Sequence, residues 1–243
     1  MPIRVLTIEG GGVRGIIPTR LLIALESLAE RPIAQLFDVM VGTSTGGMLA
    51  LGLATPGENG APRYTANTVG DIYTSHGLEI FPRPVAALPR SFADAREWWT
   101  SASSNAAIFG FNPEAGNARY APDGIERAFE LYFGDTRLSE ALIDVVITSY
   151  DLQTKSPVLF RSRDTEPDGD VDPFMRQVAR ATSAAPTYFP PLEMDWDGVP
   201  DRLLVDGGVF AKNPAMVGYI EGVARAREPV SYTQLTLPTM IMR

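Results

Sequence analysis

The chain has 243 residues, of which 21% are charged and 45% hydrophobic, and this composition is typical of a globular protein rather than a disordered or fibrous one. It contains no cysteine, which excludes a disulfide framework, a thiolate nucleophile and a cysteine-based metal site. The net charge of −8 at pH 7 argues against nucleic-acid binding, and it requires any membrane contact to be hydrophobic.

The first part of the chain consists of two successive units of strand, glycine turn and helix. Ile3–Ile8 is a short apolar strand that ends at the glycine run Gly10–Gly12, and a helix follows it. The leucines at helical spacing in this first helix are Leu21, Leu22, Leu25 and Leu28. Phe37–Val41 is a second apolar strand, which closes on Gly42–Gly47 before a helix over Met48–Ala54. Units of this kind predict a parallel sheet with crossover helices.

The rest of the chain adds further elements around an irregular excursion. Phe81–Gly116 is rich in Pro, Ser, Ala and Asn, and we interpret it as an excursion rather than a second domain. The later predicted helices are Gly124–Phe133, Pro173–Thr182 and Met216–Arg227, and the predicted strands are Asp144–Tyr150, Pro157–Arg161 and Arg202–Val205. Together these elements predict an α/β fold with a mainly parallel central sheet.

The sequence shows no targeting segment and no transmembrane segment. Its first residues run directly into a strand and lack the cationic and apolar regions of a signal peptide. The longest uncharged stretch, Val39–Gly57, contains polar residues and glycines that suit a transmembrane helix poorly. We therefore expect a cytoplasmic protein whose membrane contact, if any, is peripheral.

Gly42-Thr43-Ser44-Thr45-Gly46 fits the GxSxG pattern of a nucleophile elbow. In this motif the serine lies on a tight strand-to-helix turn, and the flanking glycines remove side chains that would clash. The apolar strand before the motif and the helix after it are the context that the motif requires. The alternative is that Ser44 only caps the helix that begins near Gly46.

A serine nucleophile needs a base, and the chain offers two candidates. The single histidine, His76, lies near the end of a predicted helix and precedes the late carboxylates, so a capping or surface role suits it better. Asp206 ends the last apolar strand and is followed by two glycines that leave space around its carboxylate. Because loops at the carboxyl ends of parallel strands gather at one edge, we expect Ser44 and Asp206 to meet there. A simple Asp-Gly turn is the alternative.

The segment Gly10–Gly15, GGGVRG, follows the first strand, and its amides suit stabilisation of an oxyanion. The same letters satisfy the GxGxxG pattern of dinucleotide binding, which needs an acidic residue at the far end of the second strand. Glu30 and Asp38 lie elsewhere, and the serine elbow occupies that position. Dinucleotide binding is therefore the second hypothesis for this loop.

The motifs GGGVRG, GTSTG and DGG, in this order, resemble those of the patatin-like phospholipase family. Val178–Pro191 is similar to the stretch before the catalytic aspartate in that family, and Tyr150–Leu152 is similar to its mid-chain strand exit. The resemblance covers roughly residues 3–228. It implies a three-layer α/β/α sandwich with a mainly parallel central sheet.

The resemblance also implies the role of each site residue. Ser44 is the expected nucleophile and Asp206 the expected general base, while Gly11 and Gly12, assisted by Arg14, form the expected oxyanion hole. The family works without a metal or cofactor on a lipid substrate at a membrane or micelle surface. The remaining motif positions are Gly10, Gly15, Gly42, Gly46, Gly207 and Gly208.

Two regions depart from the family pattern. Glu9 stands where the family usually has Asp, a change that leaves the backbone donors intact. After Pro229 the segment Val230–Arg243 is Thr-rich and has no acidic residue, whereas the family continues with another strand and more helix. We expect residues 1–229 to form a catalytic domain truncated at its C-terminus, and 230–243 to be an atypical tail that leaves a sheet edge or a hydrophobic face uncovered.

Two further features have more than one interpretation. Asp164–Asp170 has the alternating oxygen ligands of a calcium loop, but its twelfth position is Met175, so we interpret it as a solvated acidic loop. The large aromatic residues of the excursion either contact lipid or form a small satellite core, and they are Phe92, Trp98, Trp99, Phe109 and Phe111.

The leading hypothesis is a metal-independent serine lipid acyl hydrolase, a carboxylic ester hydrolase that cleaves fatty-acyl esters of lipids or phospholipids with a Ser44–Asp206 dyad. The first alternative is a regulatory module that binds a nucleotide or cofactor on the GGGVRG loop. The second is a catalytically impaired scaffold. Labelling of Ser44 by a fluorophosphonate distinguishes the acyl hydrolase from the nucleotide-binding module.

Overall fold

A computed structural model of the chain describes residues 2–80, 118–165, 171–196, 198–226 and 233–237. The excursion over Phe81–Gly116, with its five large aromatic residues, lies outside the described residues. Most of the predicted acidic loop lies outside them as well. The first acid of that loop, Asp164, forms ion pairs with Arg161 and Arg163.

The described residues form seven strands and eight α-helices. The strands are β1 (Arg4–Ile8), β2 (Val39–Thr43), β3 (Asp144–Asp151), β4 (Ser156–Arg161), β5 (Leu192–Trp196), β6 (Val199–Asp206) and β7 (Thr233–Leu237). The helices are α1 (Ile16–Ala29), α2 (Thr45–Ala54), α3 (Ala66–Ser75), α4 (Gly77–Ile80), α5 (Asp123–Phe133), α6 (Met175–Thr182), α7 (Gly208–Ala211) and α8 (Ala215–Arg225). None of these helices, in the part of the chain that the structure describes, is long and apolar enough to span a membrane.

The strands form one mixed sheet in the order β5-β6-β3-β2-β1-β7, with β4 also paired to β3. Strands β7, β1, β2 and β3 are parallel to one another. Strands β4 and β6 run antiparallel to β3, and β5 runs antiparallel to β6. Because helices pack on both faces, the predicted three-layer α/β/α sandwich with a mainly parallel sheet is confirmed.

Strands β2 and β6 meet end to end on one edge of β3. β2 pairs with β3 as far as Thr43 opposite Thr148, and β6 arrives from the other direction with Asp206 opposite Ser149. Since β4 occupies the other edge of β3 over the same positions, β2 and β6 share this edge. The sequence predicts that Ser44 and Asp206 meet because parallel strands end at the same edge of the sheet. That reason is wrong for β6, because β6 runs antiparallel to β3.

The larger hydrophobic core lies on the face of the sheet that is covered by α2, α3, α5 and α6. Every residue of α2 is buried, which explains why its sequence contains no charged residue. The smaller cluster on the opposite face packs against α8 and consists of Val5, Val39, Val41 and Val146, with Val217 from the helix. The elbow between β2 and α2 thus joins two elements whose residues are all buried.

Two predicted features differ from the structure. The leucine stripe of α1 is only partly internal, since Leu22 is fully buried whereas Leu21 and Leu28 are exposed. Thr233–Leu237, within the predicted atypical tail, pairs in parallel with β1 and adds an edge strand to the sheet. The tail therefore covers the edge of β1 that the sequence leaves open.

Candidate active site

Ser44 occupies the turn between β2 and α2. Its backbone has φ 55° and ψ −127°, a positive-φ conformation that is strained for a residue with a side chain. A Cβ atom at Gly42 would overlap the Gly46 carbonyl, and one at Gly46 would overlap the Ile8 carbonyl, so close backbone contact requires both glycines. The Ser44 side chain makes no capping hydrogen bond to α2, so the capping alternative is wrong.

Asp206 is the last residue of β6 and is nearly buried, with a relative exposure of 5%. Its carboxyl group accepts a hydrogen bond from the Gly208 amide over 2.7 Å, and the Ser44 side chain lies close enough to interact with it. Burial raises the pKa of Asp206 to about 6, because a carboxylate loses its hydration there, and the interactions with Ser44 and Gly208 oppose this rise. The structure thus brings the Ser44 hydroxyl and the Asp206 carboxyl group together.

A chain of buried hydroxyl groups fixes the ends of the two strands. Thr43 and Thr148 share a hydrogen bond of 2.7 Å between their hydroxyl groups, and Thr43 donates to the Ala211 carbonyl over 2.7 Å. A Cβ atom at Gly207 would overlap Thr148, whereas one at Gly208 would lie 3.0 Å from the Asp206 carboxylate. The DGG motif is therefore required by tight packing against β3 as well as by space at the carboxylate.

The glycine loop after β1 passes beside the serine elbow. Gly10 donates its amide to the Lys212 carbonyl over 3.0 Å, and Gly11 donates its amide to Thr45 Oγ1 over 3.1 Å. The Gly12 amide, at a residue with φ 57°, makes no hydrogen bond to any described residue. Of the two amides predicted for an oxyanion hole, that of Gly12 is open and that of Gly11 is engaged.

Arg14 and Gly15, in the second half of the loop, have different surroundings. Arg14 is exposed, and its Nε donates to the Gly11 carbonyl over 3.4 Å, so its side chain braces the loop. A Cβ atom at Gly15 would overlap the ring of Tyr73, and the Tyr73 hydroxyl donates to the Thr45 carbonyl over 3.4 Å. Gly15 therefore lets the loop lie close to α3 and to the start of α2.

Ser44, Asp206 and the glycine loop line one cavity of about 760 Å³. Its charged lining residues in the described part of the chain are Arg14, Asp206 and Lys212. Its large apolar and aromatic lining residues are Val13, Met48, Tyr73, Tyr120, Ile125, Tyr188, Phe189 and Val209. A mainly apolar cavity with a hydroxyl and a carboxylate on its wall suits a hydrophobic substrate.

His76, the other candidate base, and Asp151, a second buried carboxylate at a strand end, have partners elsewhere. His76 caps α3, its Nδ1 lies 3.2 Å from Glu79 Oε2, and its ring meets Tyr132 edge-on. His76 is not among the cavity-lining residues. The Asp151 carboxylate accepts hydrogen bonds from its own turn and from Arg202, over 3.0 Å. Of His76, Asp151 and Asp206, only Asp206 interacts with the Ser44 side chain.

The dinucleotide pattern lacks an acidic residue at the required position. Asp38 directly precedes β2, at the end opposite the elbow, and its carboxylate accepts hydrogen bonds from Arg4. Glu30 follows the last residue of α1. Within the described ranges, no three His, Cys, Asp or Glu side chains are grouped as metal ligands.

Sequence reasoning missed two residues that hold the backbone of the site. The Ser44 amide donates to Thr182 Oγ1 over 2.8 Å, and the Asp206 amide donates to the Ala184 carbonyl over 3.0 Å. Both partners lie in Val178–Pro191, which the family resemblance singles out without giving them a role. The available signal was the run of small residues directly after a helix, which allows close backbone approach.

Comparison with known proteins gives one family. A family model described as patatin-like phospholipase matches residues 6–219. Patatin group A-3 from Solanum tuberosum is 32% identical over 245 residues, which cover 96% of this chain and 56% of that protein. Patatin-like protein 2 from Oryza sativa subsp. indica is 34% identical over 224 residues, covering 88% of this chain and 51% of that protein. The chain thus spans about half the length of these relatives.

Among solved structures, the chain is similar to VipD from Legionella pneumophila. The TM-score is 0.39 at 15% sequence identity, and the match covers 86% of this chain and 46% of VipD.

Proposed function

The chain belongs to the patatin-like phospholipase family, and from this premise we propose that it is a lipid acyl hydrolase with Ser44 as nucleophile and Asp206 as general base. One observation carries the proposal. The Ser44 side chain lies beside the buried Asp206 carboxyl group on the wall of a mainly apolar cavity. A hydroxyl is a weak nucleophile unless a base takes its proton, and the Asp206 carboxylate is placed to do so.

In the proposed reaction, Asp206 accepts the hydroxyl proton while Ser44 Oγ attacks the ester carbonyl carbon. The tetrahedral intermediate then breaks its bond to the alcohol, which leaves with the proton from Asp206, and an acyl-serine remains. A water molecule gives a proton to Asp206 and attacks the acyl carbon. The bond to Ser44 breaks, the fatty acid leaves, and the serine regains its proton. Every proton transfer uses one carboxylate, so the scheme needs no metal or cofactor.

Charge on the carbonyl oxygen is stabilised by the glycine loop in this proposal. The Gly12 amide is the first donor, because it makes no hydrogen bond to another described residue. The Gly11 amide becomes a second donor once its hydrogen bond to Thr45 opens. Arg14 assists by bracing the Gly11 peptide from outside. Removal of one such donor typically costs about 10²–10³ in kcat.

The proposed substrate is a fatty-acyl ester of a lipid or phospholipid at a membrane or micelle surface. Three cavity-lining residues from separate parts of the chain are also exposed, namely Val13 at 61%, Tyr188 at 46% and Val209 at 51%. Apolar side chains around a cavity mouth favour contact with a lipid surface despite the acidic net charge. A cytoplasmic location and a catalytic domain over residues 1–229 belong to the same proposal.

A fluorophosphonate probe combined with a panel of lipid substrates tests the function. We expect labelling of Ser44 in the wild type and release of fatty acid from at least one lipid class. Ser44→Ala removes both, while Ser75→Ala, at an exposed position at the end of α3, is the matched control and keeps both. Saturable dinucleotide binding without labelling of Ser44 would refute the hydrolase and favour nucleotide binding.

A further inference from the structure

We propose that Thr182 is a positioning residue, which holds the nucleophile Ser44 in register with Asp206 through the short segment Thr182–Ala184. The inference rests on the proposed function, because it assigns a role in the reaction of Ser44. It concerns a residue outside the three motifs, located at the end of α6.

The strained backbone of Ser44 is held from a different helix. Ser44 has φ 55°, and a residue in such a conformation persists only when its surroundings fix it. Its carbonyl accepts the Met48 amide over 3.0 Å within α2. Its own amide donates to Thr182 Oγ1 over 2.8 Å, and Thr182 is fully buried. Thr182 therefore fixes the backbone of Ser44 itself from outside the elbow.

The same segment holds Asp206. The Asp206 amide donates to the Ala184 carbonyl over 3.0 Å, only two residues after Thr182. The segment is itself hydrogen-bonded to α6. The Ser183 amide donates to the Ala179 carbonyl over 3.1 Å, and the Ala184 amide donates to the Ala181 carbonyl over 3.3 Å. One short, internally bonded segment thus contacts the backbone of both proposed catalytic residues. The segment therefore contributes to the relative position of Ser44 and Asp206.

Packing around Thr182 makes a selective substitution available. A Cβ atom at Gly47 would lie 3.0 Å from Thr182 Cγ2, so α2 and α6 are in close contact at this point. Valine has nearly the shape of threonine and keeps the methyl group in that contact. Thr182→Val therefore removes the hydrogen-bond acceptor of the Ser44 amide while leaving the packing of the helices almost unchanged.

Steady-state kinetics on the full chain tests the assignment. We expect Thr182→Val to lower kcat on the order of 10²-fold, since a small displacement of a reacting group has effects of this size. KM should stay within about twofold, because the cavity wall is unchanged. Fluorophosphonate labelling of Ser44 should slow by a similar factor to kcat, and Thr182→Ser should restore most of kcat.

Thr55→Val is the matched control. Thr55 is also fully buried, and its hydroxyl donates to the Leu51 carbonyl over 2.8 Å at the other end of α2. This variant undergoes the same chemical change and should keep kcat within about threefold while showing a comparable loss of melting temperature. A difference in kcat between the two valine variants therefore measures positioning rather than general destabilisation.

The pH profile separates positioning from a structural role. The Ser44 side chain lowers the pKa of Asp206, so displacement of Ser44 should move the acid limb of kcat/KM to higher pH in Thr182→Val. A kcat within threefold of wild type with an unmoved acid limb overturns the inference.

If Thr182→Val does not fold, Thr182→Ser decides the question. A hundredfold loss of kcat in a folded serine variant overturns the inference, and a kcat near that of the wild type supports it. If the wild type neither labels nor hydrolyses any lipid, the proposed function itself fails and takes this inference with it.

Discussion

Replacement of Asp206 by asparagine should abolish hydrolysis and, at neutral pH, stabilise the fold. Asparagine keeps the size of the side chain and its acceptor oxygen for the Gly208 amide, but it has no group that accepts a proton. The free energy of unfolding should rise because the wild type places an ionised carboxylate in a nearly buried position. Loss of activity and gain of stability in one variant is the signature of a buried base.

The magnitude follows from the pKa of Asp206, which rises from 3.8 to about 6 on folding. One pKa unit corresponds to about 1.4 kcal/mol, so the ionised carboxylate costs the folded state roughly 3 kcal/mol above pH 6. The sign is that of a group with a raised folded pKa. The folded state binds the proton more tightly, so the cost is absent well below pH 3.8 and grows between pH 3.8 and about 6.

Urea unfolding of wild type and Asp206→Asn between pH 4.5 and 7.5 measures this effect. The stability difference in favour of the asparagine variant should grow by about 2 kcal/mol across that range, because linkage makes the difference depend on this one carboxyl group. In parallel, kcat/KM of the wild type should rise about tenfold per pH unit up to about 6 and then level off. A stability difference that does not change with pH, together with a flat acid limb, would show that Asp206 is not a buried base.

Three further variants test other parts of the site. Ser44→Ala should lower hydrolysis roughly 10⁶-fold in a lipid assay, and turnover near wild type would refute the nucleophile. His76→Gln should keep kcat within about threefold, since its ring contacts Glu79 and Tyr132 outside the cavity, and a thousandfold loss at unchanged melting temperature would contradict this. Gly207→Ala should cost about 1–3 kcal/mol in denaturant unfolding, because its Cβ atom would overlap Thr148, and unchanged stability would contradict that packing.

Local sequence patterns predict the parts of the site that depend on local geometry. An apolar strand, a serine between glycines and an apolar helix require the elbow at Ser44, because only Gly42 and Gly46 allow the backbones to approach so closely. The same reasoning places the glycine loop after β1 and a carboxylate at the end of β6. Each of these predictions depends on residues close together in the chain.

Features that depend on residues far apart in the chain could not be predicted this way. The direction of β6 is decided by its pairing with β3 more than 50 residues earlier, and nothing in its own apolar pattern distinguishes parallel from antiparallel. Strand β5 alternates acidic and apolar residues in a short run and is defined by its pairing with β6. The contacts of Thr182 and Ala184 arise only when α6 packs beside both strand ends.

The burial of Asp206 connects the proposed chemistry to the stability of the fold. A carboxylate with the ordinary pKa of 3.8 is a weak base at neutral pH, and a pKa of about 6 brings it closer to the range in which a general base is effective. The opposed ends of β2 and β6 make this possible, since they place Asp206 inside the sheet edge rather than on an open loop. The fold offsets part of the cost through the Gly208 amide and the Ser44 hydroxyl, both of which favour the ionised form. A variant that exposes Asp206 to water should therefore gain stability at neutral pH and lose base strength together, because both effects come from the same desolvation.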